Sequence, residues 1–291
     1  MPKGQELERV IGLVGELPAI PAVVSEVLRL TEDPKAEMGR VGQVIESDPA
    51  MTAKILKVSN SSYYGMKQFV GTLKLALVIL GVREVRNIVL GISVFDLVKD
   101  GKTDVKLAQA VWDESLRLAG LSKKISSGLN LGLQGEEFIT GLLANIGQMV
   151  MLKINGKPYA ELLLDLGSEP SALCAAEVDA FGYTHAEAAS ALASHWSLPQ
   201  QMADALWCQY PDPMRPVSGT SEPKLTAVMR ISRAALRDDF DAQETTPRSL
   251  QDEEAWAVLA AHARNPVAPD LRRPTLTGFL YELDKAPQVP L

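Results

Sequence analysis

The strongest constraint on this chain is that its apolar residues recur at helical spacing between start and stop signals, and no window alternates with period two long enough to demand a sheet. Pro21 opens a stretch in which Val23, Val24, Val27, Leu28 and Leu30 share a face. Asp48 and Pro49 supply a cap and a first-turn proline for the face Met51, Ile55, Leu56 and Val58. Thr72 precedes Leu73, Ala76, Leu77 and Leu80, and Gly81 stops that helix. One stripe follows through Val82, Val85, Ile88, Val89, Ile92 and Phe95. The spacing then predicts a long helix over 105–125, another around Phe138 to Met149, and a capping box at Thr184 to Glu187 that opens a further helix. Pro199 starts a short helix through Met202, Ala205 and Leu206.

Residues 211–223 are rich in Pro, Ser and Gly and read as a connection. Beyond it the pattern predicts helices over 225–236, 255–263 and 275–283. The expected organisation is therefore all-α, with a main body over 13–210, the connection 211–223 and a helical C-terminal extension over 224–291. Hydrophobic residues at 46% against 22% charged exclude wholesale disorder, and scarce aromatics favour helices over sandwiches or barrels.

The net charge of −7 makes nucleic acid an unlikely partner. The basic pairs Lys123-Lys124 and Arg272-Arg273 read as solvated surface. The two cysteines, Cys174 and Cys208, form no CxxC and read as buried hydrophobes of a reducing compartment. Residues 1–6 show no apolar leader, and charges such as Lys74 and Arg83 interrupt the apolar runs before the ~18 residues of a membrane span. The expectation is a cytoplasmic chain with no membrane contact, in which the sequon Asn60-Ser61-Ser62 is accidental.

Signatures of common enzymes are missing: there is no GxGxxG, GxxxxGK, GxSxG or HExxH. The HxE form of His185-Ala186-Glu187 has no PCxxC after it. Only three histidines exist, His185, His195 and His262, which strains any mechanism needing several imidazoles on one metal. His185 is expected as a partly exposed first-turn residue. Trp112, Trp196, Trp207 and Trp256 are expected to fill core or contact space.

Several spaced motifs nevertheless resemble one family, the HDOD domain, the HD-related output domain of bacterial signalling proteins. Leu17-Pro18 through Pro21 resembles its opening LP-x-x-P, and Asp48-Pro49 through Asn60-Ser61 its DPxLTxxLLxxxNS helix. Ala76 through Gly81 with Val85-Arg86 resembles its A-x-x-x-LG-x-x-x-(L/V)R turn, and His185-Ala186-Glu187 with Trp196-Ser197-Leu198-Pro199 its later H-A-E…W-x-LP segment. Gly141-Leu142-Leu143-Ala144-Asn145-Ile146-Gly147 is similar to the GLLHDIGK helix of active HD phosphohydrolases, with Ala144 and Asn145 in the two ligand positions. A methyl group cannot coordinate a metal, and an amide brings no charge to hold one.

The resemblance implies an HD-like helical core preceded by an N-terminal helical subdomain and used in signal transduction. An active relative would place a first histidine near Glu114 and a later histidine pair near Cys208 and Gln209. Glu114, Ala144, Asn145, His185, Cys208 and Gln209 thus mark the vacated pocket, with His185 the remaining plausible ligand. Asp48, Pro49, Asn60, Ser61 and Gly81 are family-motif positions expected to be structural. Three readings follow. The leading one is a non-catalytic regulatory module binding signalling proteins, with no cofactor, catalytic residue or metal. The second is a divergent metal-dependent phosphohydrolase recruiting Glu114 and His185. The third is a pocket that binds a nucleotide second messenger without cleaving it.

Overall fold

The helix predicted over 105–125 runs further, to 129, and the rest of the architecture is arranged along it. A computed structural model describes residues 12, 21–31, 37–60, 69–98, 105–167, 169–196, 198–238 and 247–284; among them there is no strand. The opening LP-x-x-P residues 17–20 and Ser61 lie outside the described residues.

From Pro21 on, the described residues form four short helices in turn: α1 (Ala22–Thr31), α2 (Met38–Glu46), α3 (Pro49–Ser59) and α4 (Leu73–Leu80). α1, α3 and α4 pack on α5 (Val82–Val98), and α2 packs on those three. Local signals set their ends as the spacing predicts. The Met51 amide donates to Asp48 Oδ1 at 3.0 Å with Pro49 at the first helical position, and the Leu75 amide donates to Thr72 Oγ1 at 3.2 Å. Gly81 closes α4 at φ 84°, a conformation that favours glycine.

The central layer holds α6 (Val105–Leu129), α7 (Glu136–Leu143), α8 (Ile146–Leu166), α9 (Pro170–Phe181), α10 (His185–His195) and α11 (Gln200–Trp207). α12 (Pro223–Ala235) follows, then α13 (Arg248–Gln251), α14 (Glu253–His262) and α15 (Arg272–Asp284). Two apolar clusters result. The larger joins α1–α5 to α7–α11 and takes Trp112 and Leu118 from α6. The smaller gathers Leu121, Ile125 and Leu129 of α6 with Trp256 and Leu259 of α14 and Leu276 and Leu283 of α15. α12 belongs to both, giving Leu225 and Met229 to the first and Val228 and Ile231 to the second.

The segment 136–166 is apolar and long enough to cross a membrane, which the charge positions did not suggest, but 89% of its apolar window is buried inside the protein. It is also not one rod. The path breaks at Ala144–Asn145 and kinks at Gly156 (φ 53°), two residues before Pro158, which has no amide proton for the helix ladder.

One expected surface feature is overturned, at Arg272. Arg272 is buried, its guanidinium 4.7 Å over the Trp256 ring and 3.1 Å from Glu253; an aliphatic stem and a planar head suit packing on an indole. Lys123 and Lys124 reach Glu84 at 2.7 Å and Glu282 at 2.6 Å, so both join neighbouring helices. The tryptophans sit largely as expected: Trp112, Trp196 and Trp256 are buried, and Trp207 is half-buried beneath Arg215.

Gly141 and Gly147 set how closely the central helices approach. A methyl group at Gly141 would press on the Ala119 backbone of α6, and one at Gly147 would overlap the His185 carbonyl of α10. Gly147→Ala is expected to destabilise the fold by about 2–3 kcal/mol, because backbone rather than a flexible side chain must yield. Urea unfolding checks this; an unchanged midpoint would show that α8 and α10 can separate without cost.

Candidate functional site

The break between α7 and α8 is where the sequence places a vacated ligand pair. Asn145 caps α8 with its backbone: its carbonyl accepts from the Gln148 amide at 3.0 Å and the Met149 amide at 3.3 Å. Its side chain makes no cap and turns elsewhere. Asn145 Oδ1 accepts from Arg233 Nη2 of α12 at 2.8 Å, and both residues are buried together with Ala144.

Arg233 therefore brings a cation to this position. Burial works against its charge and lowers its pKa, while Tyr210 and Glu114 favour the charged form. The guanidinium lies 5.1 Å from the Tyr210 ring centre, and its Nη1 is 3.8 Å from Glu114 Oε1. Glu114 is bound more closely by Arg237 Nη2, at 2.7 Å. Two guanidiniums thus share one carboxylate.

His185 is fully buried, against the expectation of partial exposure. The capping box fixes the start of α10, with Glu187 N donating to Thr184 Oγ1 at 3.2 Å and Thr184 N donating to Glu187 Oε2 at 2.8 Å. That start sits against α9, where Glu177 accepts the His185 amide at 3.0 Å. The ring continues the network: Nδ1 is 2.8 Å from Glu177 Oε1, and Nε2 is 2.8 Å from Tyr210 Oη. Donation from Nδ1 to Glu177 and acceptance of the tyrosine proton at Nε2 satisfy both contacts. Burial holds the Tyr210 hydroxyl up at about 12, so it keeps that proton. Tyr159 Oη donates to Glu177 at 2.8 Å from beyond the Gly156 kink.

This donor set does not suit a divalent cation. The Ala144 side chain offers no lone pair, Asn145 Oδ1 is held by Arg233, and Glu114 is held by Arg237. A divalent ion about 4 Å from a guanidinium is repelled by roughly 8 kcal/mol at an effective dielectric constant of about 20. Cys174, Glu177 and His185 do place potential ligand atoms within 4.8 Å of one another. However, His185 uses both ring nitrogens and Glu177 accepts three donors, so a metal there would displace that network. Burial also pushes the Cys174 thiol up to about 12 and keeps it protonated.

Of the residues marked from the sequence, Asn145 and Glu114 reach Arg233, His185 reaches Tyr210, and Gln209 lines one cleft with both. Cys208 contributes its carbonyl, which accepts from Arg230 Nε at 2.9 Å. Asp48 and Pro49 start α3 and Gly81 ends α4 in the N-terminal part. Asn60 clamps the Val70 backbone there, donating to its carbonyl at 2.8 Å and accepting from its amide at 2.7 Å. Sequence reasoning missed Arg233, Arg237, Tyr210, Glu177 and Tyr159. The available signal was Arg230, Arg233 and Arg237 at helical spacing on an otherwise apolar helix.

Two outcomes follow. Tyr159→Phe removes one donor from the buried Glu177 carboxylate and is expected to cost about 1–2 kcal/mol by chemical denaturation; equal stability would mean that this hydroxyl is not needed there. Cys174 is expected to alkylate about a thousandfold more slowly at pH 8 than an unperturbed thiol, because thiolate supply falls tenfold per unit. Rapid labelling of the native protein, mapped to Cys174 by peptide mass, would contradict this.

Comparison with known proteins agrees with the helical order. The profile of the HDOD domain matches residues 17–211. An uncharacterized protein of Treponema pallidum (strain Nichols) is 24% identical over 250 residues; the match spans 81% of this chain and 46% of that protein, so it covers about half the relative's length. Among solved structures, an HDOD domain protein from Geobacter sulfurreducens superposes with TM-score 0.72 at 21% identity, covering 96% of this chain and 94% of that one. A candidate phosphohydrolase from Shewanella amazonensis SB2B superposes with TM-score 0.66 at 21% identity, covering 95% and 97%. A candidate signal transduction protein from Marinobacter aquaeolei VT8 superposes with TM-score 0.63 at 20% identity, covering 97% and 65%. These likenesses speak to the fold, and the matching profile spans most of the chain: the protein belongs to the HDOD domain family.

Proposed function

We propose that this chain is a non-catalytic regulatory module that acts through binding rather than turnover, in the manner of a signalling output domain. The observation that carries this reading is the contact between Arg233 and Asn145. A protein cation stands against the position where the hydrolytic relatives would hold a metal-ligating pair. A guanidinium stays protonated near neutral pH and leaves no open coordination position, so it cannot bind a water and lower its pKa as a metal ion does.

Protein partners are supported by a second feature. On α4, Leu75, Val78 and Ile79 share one face and are exposed, and the nearby Phe69 is 79% exposed. Apolar side chains grouped in this way favour contact with another protein surface. The competing reading, a divergent phosphohydrolase, draws on the Cys174, Glu177 and His185 cluster, whose atoms are close enough for an ion.

Elemental analysis of the purified protein, run with phosphodiesterase assays on cyclic dinucleotides, separates the two. The expected result is substoichiometric iron, manganese and zinc, with no turnover above background. Stoichiometric metal together with turnover abolished by His185→Ala would end the regulatory reading.

A further inference from the structure

Between the start of α9, residues 209–213, α12 and the α13–α14 corner lies a cleft of about 690 Å³, within the range of small-molecule sites. Its polar lining is uneven. Arg230 is fully occupied: Nε donates to the Cys208 carbonyl at 2.9 Å, Nη2 to the Arg215 carbonyl at 2.7 Å, and Nη1 to Glu254 at 2.9 Å. Arg248 pairs with Glu169 at 2.8 Å. Arg233 and Arg237 differ, since the single carboxylate of Glu114 serves both.

Unmet hydrogen-bonding capacity collects at the same place. Arg233 Nε and Nη1, Arg237 Nη1 and both amide atoms of Gln209 are shielded from water and have no hydrogen-bond partner among the described residues. Arg233 and Gln209 are each at least 98% buried. Leaving such groups unpaired is costly, and buried polar atoms are usually satisfied. Four of the five atoms are N–H donors beside one uncompensated positive charge, so the missing partner is an anion. Elsewhere in the lining, Asp252 Oδ2 is shielded and accepts no hydrogen bond, with Arg230 Nη1 4.0 Å away, and Glu253 and Glu254 lie beside it. That part favours a hydrogen-bond donor.

We infer that this cleft is a binding site for a phosphomonoester of nucleotide size. Its phosphate is received by Arg233, Arg237 and the Gln209 amide, and its hydroxyl- or amino-bearing end faces Asp252. A guanidinium pair matches the several oxygens of a phosphate dianion better than it matches one carboxylate. The volume exceeds what inorganic phosphate fills, while Tyr210, Pro170 and Pro211 supply apolar walls for a flat ring. The site goes beyond the regulatory reading and does not depend on it: hydrolysis of the ligand would sink that reading and leave the binding intact, and failure to bind would do the reverse.

The test is thermal unfolding and calorimetry of the full chain with GMP, inorganic phosphate and guanosine as probes. GMP at 1 mM is expected to raise the midpoint by a few degrees, on the order of 4 °C for a dissociation constant of about 10 μM. Phosphate is expected to give a smaller rise, and guanosine none. Arg237→Gln and Gln209→Leu are each expected to weaken GMP at least tenfold, while Arg29→Gln on α1 leaves it unchanged. On the native chain alone, the GMP affinity should fall as salt rises. No response to GMP or phosphate, an equal response to guanosine, or native affinity in both cleft variants would overturn the inference.

Discussion

A full positive charge enclosed at the centre of a helical protein has to be answered locally, because water cannot reach it. Here the charge is Arg233, and its surroundings explain much of what the nearby residues do. Asn145 supplies an oxygen, Tyr210 a ring face, and Glu114 a carboxylate shared with Arg237. Tyr210 is in turn held by His185, His185 by Glu177, and Glu177 by Tyr159. One chain of contacts thus links α8, α9, α10 and α12. Such a network fixes geometry strongly when complete and becomes expensive when one member is lost.

Bringing Arg233 to that position is the work of α12. The helix lies between the two apolar clusters, so the guanidinium direction is set by Leu225 and Met229 on one side and Val228 and Ile231 on the other. Packing of the C-terminal helices and the electrostatics of the central break are therefore coupled. Loosening α13 or α14, which pack on α12, would let α12 rotate, and Asn145 would lose its donor.

The helical architecture was legible because its signals are local. Asp48, Thr72, Gly81 and the Thr184–Glu187 box act within one turn, so neighbouring residues suffice to read them. The central charge was not legible because it is a contact across 88 residues of sequence. Arg230, Arg233 and Arg237 look like a solvated stripe until the position of α12 is known. His185 misled for a related reason: a first-turn residue reads as exposed, yet Glu177 of the preceding helix closes over it. Ala144 and Asn145 say nothing in sequence of the protein cation that reaches Asn145.

Two demands are superimposed in the Gly141-to-Gly147 segment, and they are separable. The glycines serve packing: α6 crosses at Gly141 and α10 at Gly147 with no room for a methyl group, whatever occupies the break between them. The two residues at the break serve chemistry. A frame with the glycines and without the ligating pair therefore still builds the same crossing, and its resemblance to a hydrolase helix reports helix spacing. What the centre can do is decided by the cation that arrives there. A metal ion would offer open positions to a water, whereas a guanidinium offers only N–H donors aimed outward, the right chemistry for holding an anion still.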